Sequence, residues 1–206
     1  SELKSLLLIP DLDKQIDFDA LSTYLDLRYM PRPLSPFKGI NKLDSGSYLL
    51  WDGEDISIEK YWENTLSLMT NNSEQEIMDE FDVLLNSSIE MELMSDVPMG
   101  SFLSGGIDSS VVTTLASDKC NKEFSVFHMR WHEIPGKMDE SMFAEKVIQN
   151  KNVTKYFRDV NNIDVLNLLP KLIYHLDEPF ADAAFLPTYY LANIASEKVK
   201  VILSGA

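Results

Sequence analysis

The chain has a single cysteine, Cys120, among its 206 residues, so no internal disulfide staples it and a reducing compartment is expected. Cys120 itself reads as a packing residue at a helix end. No apolar run approaches the roughly 20 residues of a membrane span, and Leu6-Leu7-Leu8-Ile9 is too short for a signal-peptide core. A cytoplasmic location without a membrane partner is the expectation. Positive charge is scarce, with 18 basic residues against 33 acidic ones and a formal charge of −15, which argues against a nucleic-acid surface. No lysine occurs between Ser95 and Asp118, which removes the Gly-Lys-Ser/Thr ending of a P-loop NTPase. Gly100, Gly105 and Gly106 lack the G-x-G-x-x-G spacing of a dinucleotide fingerprint. Internal repeats and low-complexity segments are absent as well.

What is present is a hydrophobic share of 45% over 206 residues, enough for a substantial core, and one informative loop. Leu103-Ser104-Gly105-Gly106-Ile107-Asp108-Ser109-Ser110 lies between an apolar run, Val97 to Leu103, that reads as a buried strand and a run from Ser109 to Ala116 that reads as a helix. A loop at a helix N-terminus attracts anions, because unpaired N–H groups and the positive end of the helix dipole face it. Gly105 and Gly106 let the backbone approach closely, and the hydroxyls of Ser104, Ser109 and Ser110 add donors. Asp108 would repel a phosphate unless a cation lay between them. Mg²⁺, held by a carboxylate together with phosphate oxygens, fits that position. The alternative is a plain turn in which Ser104 or Asp108 caps the helix.

Around this loop the pattern alternates. Phe18, Leu21, Leu25 and Tyr29 give helical spacing from Asp17 onward; Ser47–Trp51 and Ile56–Trp62 read as a hairpin across Asp52-Gly53. Periodicity fades over 63–72, the expected linker. Ser73-x-x-Glu76 then opens a helix as a capping box, with Ile77, Phe81, Leu84, Leu85 and Ile89 as its apolar face. Strands over 123–131, 153–160 and 199–203 and helices over 140–150, 163–175 and 186–197 follow. The expected fold is α/β, a doubly wound parallel sheet preceded by a smaller β-containing part. Its ligand crevice should lie where Leu103-Ser104 and Leu203-Ser204 leave the carboxyl ends of their strands.

Ser104 to Ser110 resembles the pyrophosphate loop of the ATP pyrophosphatase (adenine nucleotide α-hydrolase-like) superfamily, which cuts ATP between its α and β phosphates. GMP, NAD and asparagine synthetases and tRNA-thiolating enzymes share such loops, so the flanks must discriminate. Ser95-Asp96-Val97-Pro98-Met99-Gly100, Asp139-Glu140-Ser141 and His175-Leu176-Asp177-Glu178-Pro179-Phe180-Ala181-Asp182 with Leu186-Pro187-Thr188-Tyr189 resemble glutamine-hydrolysing asparagine synthetases. Phe37 to Leu43, Ser47-Tyr48-Leu49 and Lys60-Tyr61-Trp62 are similar to the closing part of that family's N-terminal-nucleophile glutaminase domain.

The resemblance implies an internal portion of a longer protein: residues 1–62 closing an amidotransferase domain, 63–72 a linker, and 73–206 beginning the synthetase domain. It implies that aspartate is activated by ATP as β-aspartyl-AMP and then aminated by ammonia from glutamine, with a homodimer compatible. ATP or its pyrophosphate would meet Leu103, Ser104, Gly105, Gly106, Asp108, Ser109, Ser110, Val126, Ser204 and Gly205, with Mg²⁺ on Asp108. Leu103 and Val126 are apolar core on either reading, and their contact with adenosine rests on the family alone. The acidic pair Asp177-Glu178 reads as a cap or solvated turn rather than a ligand, and His175 carries no role. Glutamine hydrolysis in that family uses an N-terminal cysteine nucleophile, whereas this chain starts with Ser1 inside what should be the middle of that domain and is not expected to be a complete glutaminase; Ala206 stands where the family commonly has an acidic residue as a candidate general base. No catalytic residue is assigned. β-Lactam synthetase-like, polysaccharide-associated and non-catalytic nucleotide-binding relatives are the alternatives.

Overall fold

A computed structural model describes residues 2–64, 71–131, 140–160, 165–182 and 184–205. In chain order the elements are α1 (Leu3–Leu6), α2 (Phe18–Leu27), β1 (Ser47–Trp51), β2 (Ile56–Lys60), α3 (Glu74–Glu92), β3 (Met99–Phe102), α4 (Ile107–Lys119), β4 (Phe124–Trp131), α5 (Ser141–Val147), β5 (Thr154–Val160), α6 (Val165–Leu176), α7 (Phe185–Ser196) and β6 (Val201–Leu203). They pack as two units, one of Ser1–Thr70 with Asp164–Ala183, the other of Asn71–Ile163 with Ala184–Ala206. Positions 65–70 of the expected linker, Asp139, Ile163 and Ala206 fall outside the described residues.

The larger unit holds a four-stranded sheet in the order β5-β4-β3-β6, every neighbour parallel. From β3 the chain winds through α4 to β4 and through α5 to β5 on one side, while β6 adds to the other edge of β3. The topological switch point therefore lies between β3 and β6, where ligand crevices form in such sheets. This is the expected α/β parallel sheet. β4 is covered on both faces, so Phe124 to Met129 are all buried, with the polar Ser125 and His128 among them. Phe124 and Val126 join Leu103, Ala116, Ala144 and Ile148 on one face, and Phe127 joins Ala195 and Val199 on the other. A buried Ser101–Thr113 hydroxyl pair, 2.9 Å apart, ties β3 to α4 and satisfies two polar groups that would otherwise be stranded in the core.

The capping box is present: the Ser73 hydroxyl accepts from the Glu76 amide and the Glu76 carboxylate accepts from the Ser73 amide, at 2.7 Å for the latter. The apolar stripe behind it departs from expectation. Ile89 is buried and Leu85 packs beside it, but Ile77, Phe81 and Leu84 are exposed, because only the C-terminal half of α3 reaches the sheet's core. The strand before the loop is shorter than its apolar run, Met99–Phe102 instead of Val97–Leu103, and β6 begins at Val201, with Val199 buried in the second core before it.

In the smaller unit, Asp17 caps α2 by accepting from Asp19 and Ala20 amides, both at 3.0 Å. The hairpin β1–β2 pairs Trp51 with Ile56. Its turn is held by the Asp52 carboxylate, which accepts from the amides of Asp55 at 2.8 Å and Glu54 at 3.0 Å. Those bonds, Asp55 first, hold the Asp52 carboxyl below its ordinary range. The pair Asp177-Glu178 is no solvated turn. Asp177, at φ 66°, accepts from the Leu3 amide at 2.7 Å and pairs with the Lys4 ammonium at 2.6 Å. Glu178 takes Lys42 at 2.7 and 2.5 Å. The acidic pair thus caps and anchors segments more than 130 residues earlier in the chain.

Candidate phosphate-binding site

The loop leaves β3 at Leu103 and enters α4 at Ile107, with Gly106 as the N-cap. The helix begins two residues before the expected Ser109, because a glycine cap offers no side-chain signal in the sequence. Ser109 consequently lies in the first turn, buried, and its hydroxyl points back into the loop. It accepts from the Ser104 amide at 3.2 Å, lies 2.9 Å from the Ser104 hydroxyl and donates to the Gly106 carbonyl at 3.2 Å, while Ser104 Oγ accepts from the Gly106 amide at 3.1 Å. Ser104 and Ser109 therefore brace the loop against itself. Among the described residues the amides of Ile107, Asp108 and Ser109 have no hydrogen-bond partner. They are the unpaired donors that make a helix N-terminus anion-seeking.

Two glycines make close approaches. Gly105, at φ +99°, is a conformation L side chains rarely adopt, and a Cβ there would lie 2.6 Å from the Glu140 carbonyl oxygen at the start of α5. At Gly205, just after β6, a Cβ would fall 2.5 Å from both the Asp108 carbonyl carbon and the Ser109 nitrogen. Gly205 is thus packed onto the first turn of α4, and Ser204 beside it is exposed. The structure brings Ser104, Gly105, Gly106, Asp108, Ser109, Ser110, Ser204 and Gly205 to the carboxyl ends of β3 and β6. Leu103 and Val126 are elsewhere in character: both side chains are buried in the core.

Asp108 is exposed, and its carboxylate has no hydrogen bond or ion pair among the described residues. No cluster of three or more His, Cys, Asp or Glu side chains suited to a metal occurs among the described residues. A lone carboxylate beside free helix amides suits Mg²⁺, which keeps waters and shares its shell with substrate phosphates. A cavity lined by Leu93, Val97, Met99, Cys120 and Lys122 lies at the opposite, amino ends of the strands, away from this chemistry. Cys120 caps the C-terminus of α4 and packs against the core there, as a helix-end cysteine should.

Residues 1–62 match the family model of the glutamine amidotransferase domain. Residues 80–206, more than half of the chain, match that of asparagine synthase. The chain belongs to the asparagine synthase family. It is 32% identical over its full length to a putative glutamine-hydrolysing asparagine synthetase of Mycobacterium bovis, covering 32% of that protein. With glutamine-hydrolysing asparagine synthetase 1 of Bacillus subtilis it shares 31% identity over its full length and 32% of that protein. A putative counterpart from Methanocaldococcus jannaschii is 31% identical over the full chain and 40% of its own length. The chain thus spans about a third of the length of these curated relatives. The asparagine synthase match includes the stretch 164–183, which packs in the same unit as the amidotransferase match. Among the described residues no helix is long and apolar enough to cross a membrane.

The sequence pattern missed one residue at this site. His128, 3% exposed in β4, has Nδ1 2.6 Å from the Leu103 carbonyl oxygen and Nε2 2.7 Å from the Ser141 hydroxyl. Its signal was a lone imidazole inside an apolar run, which periodicity alone reads as strand.

Proposed function

We propose that the protein forms an amide at the expense of ATP, activating the side-chain carboxylate of aspartate as β-aspartyl-AMP and aminating it with ammonia drawn from glutamine. The observation that carries this reading is the row of free amides at Ile107, Asp108 and Ser109, set at the switch point between β3 and β6 of a chain in the asparagine synthase family. A carboxylate oxygen attacks the α-phosphorus, the bond from that phosphorus to the bridging oxygen breaks, and pyrophosphate leaves into the loop. The α4 amides and dipole stabilise the charge that gathers on the departing group, a preorganised electrostatic role. Ammonia then adds to the acyl carbon, loses a proton, and AMP leaves with the oxygen that aspartate supplied. Asp108 would hold Mg²⁺, which offsets phosphate charge when bound.

Ser104 and Ser109 keep the loop in the shape that leaves its amides outward, and Gly105 and Gly205 allow it to sit against α5 and β6 without a Cβ between. Leu103 and Val126 serve the adenosine portion as buried support. Residues 1–62 close the glutaminase domain and 73–206 begin the synthetase domain. Full-length protein given aspartate labelled with ¹⁸O in its side-chain carboxylate, ATP and glutamine tests the reading. One ¹⁸O should appear in AMP alongside asparagine. Label-free AMP, or ADP as the nucleotide product, would overturn it, and nucleotide binding without turnover would mark a non-catalytic relative.

A further inference from the structure

His128 joins two separate pieces of the site's wall. The Leu103 carbonyl, its partner at Nδ1, belongs to the last residue before Ser104, and the Leu103 amide donates to the Phe127 carbonyl at 3.0 Å. The root of the loop is thus held to β4 through both its amide and its carbonyl. Ser141, the partner at Nε2, opens α5. Its neighbour Glu140 supplies the backbone on which Gly105 rests, with space for no Cβ. One planar ring, stacked at a tilt 4.9 Å from Phe157, therefore sets the distance between the loop's root and the helix start the loop leans on.

A carbonyl oxygen can only accept, so Nδ1 must carry a proton, and in the neutral ring Nε2 then accepts from the Ser141 hydroxyl. The arrangement selects one tautomer. We infer that His128 is a positioning residue for the phosphate loop, fixing Ser104–Gly106 against the start of α5 in its Nδ1–H form so that the α4 amides stay aligned for pyrophosphate. This role rests on the pyrophosphate reading of the loop. It touches no substrate atom and acts through Leu103 and Ser141.

The test uses full-length protein and the variants His128→Phe, His128→Asn and Ser141→Ala. Ser141→Ala removes one hydroxyl and leaves the ring's volume in place, and His128→Asn keeps a donor near the Leu103 carbonyl. His128→Phe and Ser141→Ala should weaken inorganic pyrophosphate binding and raise the KM for ATP by about tenfold, a small misplacement of preorganised donors. The KM for glutamine should not move, and Asn should recover part of what Phe loses. A merely structural histidine would lower melting temperature and leave the ATP KM alone. Nitrogen NMR of the wild-type imidazole should show protonated Nδ1 and bare Nε2. The opposite tautomer, or wild-type ATP and pyrophosphate constants in both His128→Phe and Ser141→Ala, overturns the role. Wild-type protein that fails to bind pyrophosphate overturns the loop's reading and this role together, which separates the two failures.

Discussion

Replacing Gly205 by alanine isolates the packing that shapes the loop. The added Cβ would lie 2.5 Å from the Asp108 carbonyl carbon, 2.5 Å from the Ser109 nitrogen and 2.6 Å from the Ser109 Cα. Comfortable carbon contacts are about 3.5–4.0 Å, so three backbone atoms are overlapped by roughly 1 Å and no flexible side chain can yield. Gly205 is not at positive φ, and the effect is steric rather than conformational. The end of β6 and the first turn of α4 must part by about 1 Å, at an overpacking cost of about 1–3 kcal/mol. On the proposed reading the displaced Ser109 amide is one of the donors to phosphate, and a shift of that size should then cost on the order of 10²-fold in rate. Denaturant unfolding and ATP turnover of full-length Gly205→Ala measure both. Gly53→Ala is the control, since Gly53 has φ +107° and nothing within 4 Å of its Cβ; it should lose stability through backbone strain alone and keep turnover. A Gly205→Ala protein within 0.5 kcal/mol of wild type, with unchanged turnover, would refute the close approach of β6 to the loop.

Ser73→Ala should cost α3 about 1 kcal/mol, read from denaturant unfolding; no loss would mean that the capping box is not formed in solution. Burial of the Asp177 carboxyl works to raise its pKa, but the Lys4 ammonium and the Leu3 and Lys4 amides outweigh it, so the pKa lies below its ordinary 3.8. A depressed carboxyl stabilises the fold fully above its unfolded value and loses that contribution as pH falls through the folded one. Wild-type stability should therefore drop below about pH 4, and Asp177→Asn should flatten that part of the profile; identical profiles would contradict the pairing. Asp108→Asn should abolish the dependence of ATP binding on Mg²⁺, measured calorimetrically, while changing stability by less than about 1 kcal/mol, the scale of a first-turn charge on a helix dipole.

What the sequence made legible was local. Asp17 before α2, Ser73 with Glu76, and Asp52-Gly53 between two strand runs are signals written within four residues, and each element forms where they stand. The βα alternation gave the parallel sheet and placed Ser104 and Ser204 at the same, carboxyl end of its strands. Signals failed where a partner is distant. Asp177 reads as a local cap or turn, and only Leu3 and Lys4 seen against it show that it caps a distant segment; Ile77 and Phe81 read as core although α3 turns them to solvent. The start of α4 was misplaced because a glycine cap has no side chain to announce it, which hid Ser109's role as a brace inside the loop. His128 escaped because its meaning lies in Leu103 and Ser141, one just past the end of a neighbouring strand and one on a helix that follows.

On the proposed function this loop receives pyrophosphate when an aspartate carboxylate is adenylated. Exchange of labelled pyrophosphate into ATP by the full-length protein, with ammonia and glutamine withheld, tests it most directly. Exchange should require aspartate and be lost in Asp108→Asn. Exchange independent of any amino acid, or none with aspartate in a protein that binds ATP, would contradict it.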